Sequence, residues 1–63
     1  MTKNIKLFFK KPENETKNIT YNHYGVTELE HKDGMLLVHK EQDGEDYIAA
    51  IVNWDNVNQI VEI

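Results

Sequence analysis

Hydrophobic and polar residues alternate along most of this chain, and two Asp-Gly pairs interrupt the alternation. The pairs, Asp33-Gly34 and Asp43-Gly44, lie ten residues apart, with alternating segments before, between and after them. Asp-Gly in this setting is typical of a two-residue hairpin turn, because both central residues need positive φ and Gly adopts it without steric cost. The pattern therefore predicts a three-stranded antiparallel meander with turns at these two pairs.

The two turns also predict which residues face one another. Leu29 is expected opposite Val38, and Val38 opposite Ala49. The next row of that face consists of His31, Leu36 and Ile51. The other face carries Val26, Glu28, Glu30, Met35, Leu37, His39, Ile48, Ala50 and Val52. An antiparallel sheet with one face in water normally alternates cleanly, so apolar residues on two faces predict that both faces are covered.

Alternation predicts further strands on both sides of the meander. One comprises Ile5 to Lys10 and ends before Pro12, and another begins near Ile19. Residues 12–17 are polar and predicted as a turn. A lone Gly25 predicts a bulge or corner where one long strand bends.

The last ten residues predict a capped turn followed by a closing strand. Residues 54–57 are expected to form a short turn or a single helical turn, and the segment that follows to Ile63 is too short for an independent helix. The whole chain, residues 1–63, is therefore expected to be one mainly β domain, an antiparallel meander of about five to six short strands.

The length of the chain bears on how such a sheet is stabilised. A domain of 63 residues buries only about 60% of the surface of its unfolded chain, so its stability is marginal without help. The sequence has no Cys for disulfides. We therefore expect a homo-oligomer, most simply a two-fold dimer, in which a sheet face or an edge strand pairs with a copy of itself. The alternative is a monomer whose terminal segments fold over the second face.

Neither a leader-like apolar run preceded by positive charge nor a stretch of membrane-spanning length occurs in the sequence. The expectation is a cytoplasmic protein that does not associate with membranes.

Charge is distributed unevenly along the chain. Residues 1–17 hold five Lys against two Glu, whereas residues 18–63 hold two Lys against nine acids. The Lys residues, together with Phe8 and Phe9, suit a platform for single-stranded nucleic acid, or alternatively protect an edge strand from unwanted pairing. An acidic hairpin turn, consisting of Glu41, Asp43, Glu45 and Asp46, could dock on a basic partner.

The residue types that are missing argue against catalysis. The sequence contains no Ser, Cys or Arg, so Ser and Cys nucleophiles and the bidentate guanidinium group are all unavailable. His23, His31 and His39 recur every eight residues, but the register places His31 and His39 on opposite faces, which argues against a shared metal. Glu28 lies across from His39, and a cross-strand ion pair is favoured there over an acid/base pair. We expect a non-enzymatic protein with no catalytic residues, no metal ligands and no cofactor.

Aromatic residues are the remaining candidates for a binding site. Trp54 stands among Asn53, Asp55 and Asn56, and an aromatic face beside amides suits a planar polar ligand, especially where two subunits meet. Alternatively, Trp54 is a core residue that anchors the turn before the last strand. The predicted ligand-binding residues are Trp54, Asn53, Asn56, Tyr47, Tyr24 and Lys10.

The run from Ile51 to Glu62 and the wealth of Asn, Lys and Ile resemble the small, uncharacterised β-rich accessory proteins of phages and mobile elements of low-GC bacteria. The resemblance implies a role such as inhibiting a host protein or sequestering a host signalling molecule. The expected function is a homo-oligomer that sequesters a small nucleotide-like signalling ligand at a subunit interface. The alternatives are an inhibitor that docks on a host protein through the Lys-rich first strand or the acidic hairpin turn, and a small single-stranded nucleic-acid binder.

Overall fold

The computed structural model describes residues 1–12 and 19–63, and these form a single antiparallel sheet of five strands. The strands are β1 (Lys3–Phe9), β2 (Thr20–Lys32), β3 (Met35–Gln42), β4 (Glu45–Asn53) and β5 (Val57–Glu62), with one 3₁₀ turn, η1 (Trp54–Asn56), between β4 and β5. Their order across the sheet is β4-β3-β2-β1-β5. The prediction of a mainly β fold with a central meander is confirmed.

Both hairpin turns form where the Asp-Gly pairs predicted them. Asp33 and Gly34 have φ angles of 52° and 74°, and Asp43 and Gly44 have φ angles of 53° and 81°. Positive φ at both central residues is the type I′ geometry, whose twist matches that of the flanking strands. The first turn also produces the expected register, since Leu29 pairs with Val38 and His31 with Leu36.

The predicted register of the second hairpin is wrong beyond the first rows. His39 pairs with Ile48, but Val38 pairs with Ala50 rather than Ala49. Ala49 is thus an extra residue on β4, a β-bulge, and it shifts every later pair by one. Leu36 consequently lies opposite Val52 and not opposite Ile51.

This bulge and a second one in β2, between Val26 and Glu28, place several residues on the face opposite to the predicted one. The inner face, which carries the core, includes Val26, Leu36, Val38, Ala50 and Val52. The outer face carries Glu28, Glu30, Met35, Leu37, His39, Ile48 and Ile51. The prediction that assigned Val26, Ala50 and Val52 to the face of His39 is therefore wrong.

A further register shift in β2 confirms the bulge predicted at Gly25. The pairing changes between Lys3 and Ile5 of β1, and Gly25 has a φ of 70°, a conformation that L side chains adopt only with strain. The Asn4 side-chain oxygen accepts a hydrogen bond of 3.1 Å from the Gly25 backbone nitrogen at this point. Bulges bend strands and increase their twist, which allows one short sheet to enclose its own core.

The core lies on the inner face and is centred on β1. It consists of Ile5, Leu7, Phe9, Val26, Leu36, Val38 and Val52, with Leu29, Ala50, Val57 and Ile60 packed around it. β1 lies between β2 and β5, so the interpretation of the Lys-rich strand as an edge strand is wrong. The edges of the sheet are β4 and β5.

The end of the chain folds as predicted, with one 3₁₀ turn followed by a strand that pairs with β1. The turn predicted over residues 12–17 lies outside the described residues apart from Pro12. In the described part of the chain, no helix has the length and apolar character needed to cross a membrane.

Candidate functional site

Three of the six predicted ligand-binding residues line a shallow cleft beside η1. Lys10, Asn53 and Asn56 contribute to it together with Lys11, Pro12 and Asp55, and its volume is about 340 Å³. The cleft forms because the end of β1 and the turn after β4 are held against each other. The Lys10 backbone nitrogen donates a hydrogen bond of 2.8 Å to the Asn56 carbonyl oxygen.

The two amide side chains at this cleft have structural partners of their own. The Asn56 Oδ1 atom accepts a hydrogen bond of 2.9 Å from the Lys11 backbone nitrogen, and the Asn56 Nδ2 atom donates one of 2.9 Å to the Lys11 carbonyl oxygen. Asn53 caps η1, because its Oδ1 atom accepts a hydrogen bond from the Asp55 backbone nitrogen at 3.1 Å. These bonds hold residues 10–11 against η1. Because they engage the side chains of Asn53 and Asn56, the charged groups that face a ligand in the cleft are those of the Lys and Asp residues that line it.

Trp54 does not line this cleft but lies against the first hairpin turn. Its ring centroid is 4.7 Å from that of His31, with the two planes tilted by 35°, and its backbone nitrogen donates a hydrogen bond of 3.1 Å to the Gly34 carbonyl oxygen. The side chain remains 38% exposed. Trp54 thus anchors η1 to the β2-β3 turn, but it is not the core residue of the alternative interpretation, since it lies outside the core and part of its ring stays accessible.

The two predicted Tyr residues lie elsewhere on the protomer. Tyr47 lines a second open cleft of about 440 Å³ with Gln42, Asp43, Glu45 and Asp46, at the tip of the β3-β4 hairpin. The Tyr24 hydroxyl accepts a hydrogen bond of 3.1 Å from the Asn22 side-chain nitrogen on β2. The described chain therefore does not bring all six residues into one site.

The outer face carries a cluster that the sequence predicted only in part. His39 pairs with Glu28 in the backbone register, as expected. Its side chain, however, contacts two other carboxylates: Nδ1 lies 2.8 Å from Asp46 Oδ2, and Nε2 lies 2.9 Å from Glu30 Oε1. We call Glu30, His39 and Asp46 the histidine bridge, since it joins β2, β3 and β4.

Both ring nitrogens of His39 face carboxylate oxygens, so the protonated imidazolium can donate to both at once. Hydrogen bonds with Asp46 and then Glu30 raise the pKa of His39, with a smaller contribution from the charge of Glu28. The Thr27 hydroxyl donates a hydrogen bond of 3.2 Å to the second oxygen of Asp46. A His whose two ring nitrogens both face carboxylates is suited to linking strands, because both nitrogens are already engaged.

The buried His23 shows the opposite behaviour on the inner face. Burial lowers its pKa, with a smaller effect from the positive charge of Lys40. Its ring packs against Tyr21, with 4.7 Å between centroids. His23 is therefore a neutral core residue, and within the described residues no group of three or more His, Asp or Glu side chains is placed to hold a metal ion.

The proposed aromatic platform for nucleic acid is divided between the two faces of β1. Phe9 belongs to the core, whereas Phe8 lies on the outer face with the Lys6 ammonium 5.8 Å from its ring centroid. The two rings cannot stack on successive bases from the same side of the sheet.

The strand β4 is the most exposed apolar segment of the described sheet. Tyr47, Ile48 and Ile51 are 44%, 48% and 60% exposed, respectively. On the outer face Leu37, which is half-buried, lies opposite Ile51, and His39 lies opposite Ile48. As β4 ends the strand order, its outer backbone edge is paired with no strand of the described chain. β4 carries no Lys or Pro to block pairing with another strand, and its two acids, Glu45 and Asp46, lie at one end of it, before the uncharged run that contains the bulge at Ala49.

Comparisons with known proteins identify no relatives: no protein-family model, curated protein or solved structure matches this chain.

Proposed function

We propose that this chain is a non-enzymatic binding protein that acts as a homo-oligomer and holds a small planar, nucleotide-like ligand where two subunits meet. The observation that carries the proposal is the exposure of Ile48 and Ile51 on the edge strand β4. A small domain that leaves such side chains beside an open backbone edge gains stability from a partner strand.

The chemistry of the described side chains supports a non-enzymatic role. The one acid and base pair that the sequence offered, Glu28 and His39, is not assembled as such, because His39 is held between Asp46 and Glu30. With no Ser, Cys or Arg in the sequence, few groups remain that could attack a substrate or clamp an anion.

The cleft beside η1 supports a small polar ligand. It is open to solvent and is lined by Lys10 and Lys11, and Trp54, which lies outside the cleft, is adjacent to Asn53 and Asp55 in the chain. Asp55 lies in the same cleft and disfavours a highly charged phosphate, so a ligand with a single anionic group fits best.

One alternative function has a specific observation in its favour. The β3-β4 pairing continues to Gln42 and Glu45, past Lys40, the last β3 residue that pairs with β2. The acidic hairpin turn therefore projects from the sheet and could dock on a basic host protein. The Lys-rich first strand is a weaker docking surface, since β1 is central. In either case we propose that the chain belongs with the phage-type accessory proteins it resembles.

Native mass spectrometry of the protein purified from its host tests the proposal. The expected spectrum contains a dimer or higher oligomer that carries an additional small-molecule mass, released when the protein is denatured. A bare monomer at micromolar concentration would contradict both parts of the proposal. Retention of a host protein in place of a small molecule would favour the alternative in which the acidic hairpin turn docks on a host protein. In a separate binding assay, an affinity for oligonucleotides that falls with added salt would favour the nucleic-acid alternative.

A further inference from the structure

The edge of β4 has a sequence that can pair with a copy of itself. The six residues from Tyr47 to Val52 carry no charge, and acids lie on one side of them while Asn53 and Trp54 lie on the other. In a two-fold antiparallel pairing centred between Ala49 and Ala50, Ile48 lies opposite the partner's Ile51. The same register places Asp46 opposite the partner's Asn53, so like charges do not meet across the interface.

The bulge at Ala49 makes this register geometrically consistent. Residues that face each other across two antiparallel strands must lie on the same face of the sheet. In a regular strand, Ile48 and Ile51 would lie on opposite faces, because side chains alternate. The extra residue between Ile48 and Ala50 places both Ile side chains on the outer face, where each can contact its counterpart in the partner.

We propose that two copies of this chain pair through β4 in this register, which forms one continuous ten-stranded sheet across the two-fold axis. Each apolar row on the outer face then runs from Leu37 through Ile51 to the partner's Ile48. The interface is isologous and closes after two subunits, because each β4 edge is occupied by the other β4 edge, while β5, the opposite edge of the described sheet, takes no part in it.

The pairing also completes the binding site of the proposed function, on which this inference rests. Tyr47 pairs with Lys40 and so lies on the inner face, the face from which His31 contacts Trp54. In the dimer the partner's Tyr47 lies opposite Val52, two residues before Trp54, the first residue of η1. The partner copy thus contributes an aromatic ring at the end of β4 where Trp54 lies, and a planar ligand is held between the two aromatic side chains.

Cysteine cross-linking tests the register directly, because the natural chain contains no Cys. The variant with Ile48→Cys and Ile51→Cys is expected to form a covalent dimer under mild oxidation. Within one chain these positions are about 10 Å apart along the strand, too far for a disulfide, which needs Cα atoms within about 7 Å. Neither single variant is expected to cross-link to itself.

A charge substitution provides an independent measurement. Ile48→Lys places an ammonium group in each of the two symmetric Ile48–Ile51 contacts of the dimer, so the dimer dissociation constant measured by sedimentation is expected to rise at least about a hundredfold, on the order of tenfold per site. Ile63→Lys, at an equally exposed Ile outside β4, is the matched control and should leave the constant unchanged. Circular dichroism of each variant checks that the protomer remains folded.

The outcomes separate this inference from the proposed function. Cross-linking of the double variant alone, together with dissociation of Ile48→Lys, supports the β4 pairing. If the natural chain forms a stable dimer but the double variant does not cross-link, the proposed register is wrong. The register is also wrong if a single variant such as Leu37→Cys cross-links to itself. In both cases the proposal of a homo-oligomer stands. A natural chain that sediments as a monomer overturns both.

Discussion

Leu7 is the side chain whose truncation tests the described core most directly. It lies on the central strand β1, is fully buried, and pairs with Tyr21 of β2 and Ile60 of β5. Leu7→Ala removes the transfer free energy of the lost methyl and methylene groups and leaves a cavity, which together cost about 2–5 kcal/mol in buried sites. A domain of 63 residues has a total stability of about 3–9 kcal/mol at 0.05–0.15 kcal/mol per residue, so the substitution should remove a large fraction of the total stability.

Urea denaturation, followed by the fluorescence of the single Trp54, measures this loss. With a slope of about 1 kcal/mol per molar urea, a loss of about 3 kcal/mol moves the midpoint down by about 3 M. Leu7→Met conserves the side-chain volume and should cost less than about 1.5 kcal/mol. All samples need one protein concentration, because association stabilises the folded state. A Leu7→Ala loss below about 1 kcal/mol would refute a core centred on β1.

Three further perturbations address the bulge, the cleft and the histidine bridge. Gly25→Ala should lower stability by about 1 kcal/mol through backbone strain at positive φ, since no atom lies within 4 Å of the added Cβ; a neutral result in the same urea assay would contradict that conformation. Asn56→Ala should cost about 0.5–1.5 kcal/mol for each of the two exposed hydrogen bonds to the Lys11 backbone that it removes, and amide exchange should quicken at Lys11 first. His39 has a raised pKa, so its contribution is complete below the unfolded value of about 6.5 and is lost as the pH rises through the folded value. His39→Gln should therefore flatten that part of the stability profile, whereas an unchanged profile above pH 6.5 would exclude the bridge.

The parts of the fold that the sequence predicted are those that local chemistry determines. Each Asp-Gly pair specifies its own turn, since few other residues adopt positive φ at two successive positions. Gly25 signalled a bulge for the same reason. Pro12 and the alternation from Ile5 to Lys10 located β1, although the strand begins two residues earlier, at Lys3, and ends one residue earlier, at Phe9. None of these inferences required knowledge of a distant residue.

The binding site was less predictable because its members depend on long-range packing. Asn53 and Asn56 appeared as ligand-binding groups in the sequence, but their side chains cap η1 and hold Lys11. The histidine bridge was missed for a related reason. Side chains on neighbouring strands can reach diagonally, so the backbone partner Glu28 was named where Glu30 makes the contact.

The position of β1 also could not be read from composition. A strand rich in Lys is usual at an edge, yet here Ile5, Leu7 and Phe9 turn inward while Lys6 and Phe8 turn outward. The alternation shows which face of a strand is buried but not which strands lie on either side of it. Only the pairing of β5 with β1, between residues far apart in the chain, makes β1 central.

The bulge at Ala49 connects the least predictable element of the fold to the proposed interface. Ala49 and Ala50 are identical small residues, so the sequence offers no signal for which of them leaves the regular alternation. Without the bulge, Ala50 and Val52 would leave the inner face, and either Ile48 or Ile51 would turn inward in their place. With it, the inner face keeps Val52 in the core, and both Ile side chains lie exposed on the outer face of an edge strand. The same local irregularity therefore completes the core of one protomer and creates the apolar surface that a second copy can cover.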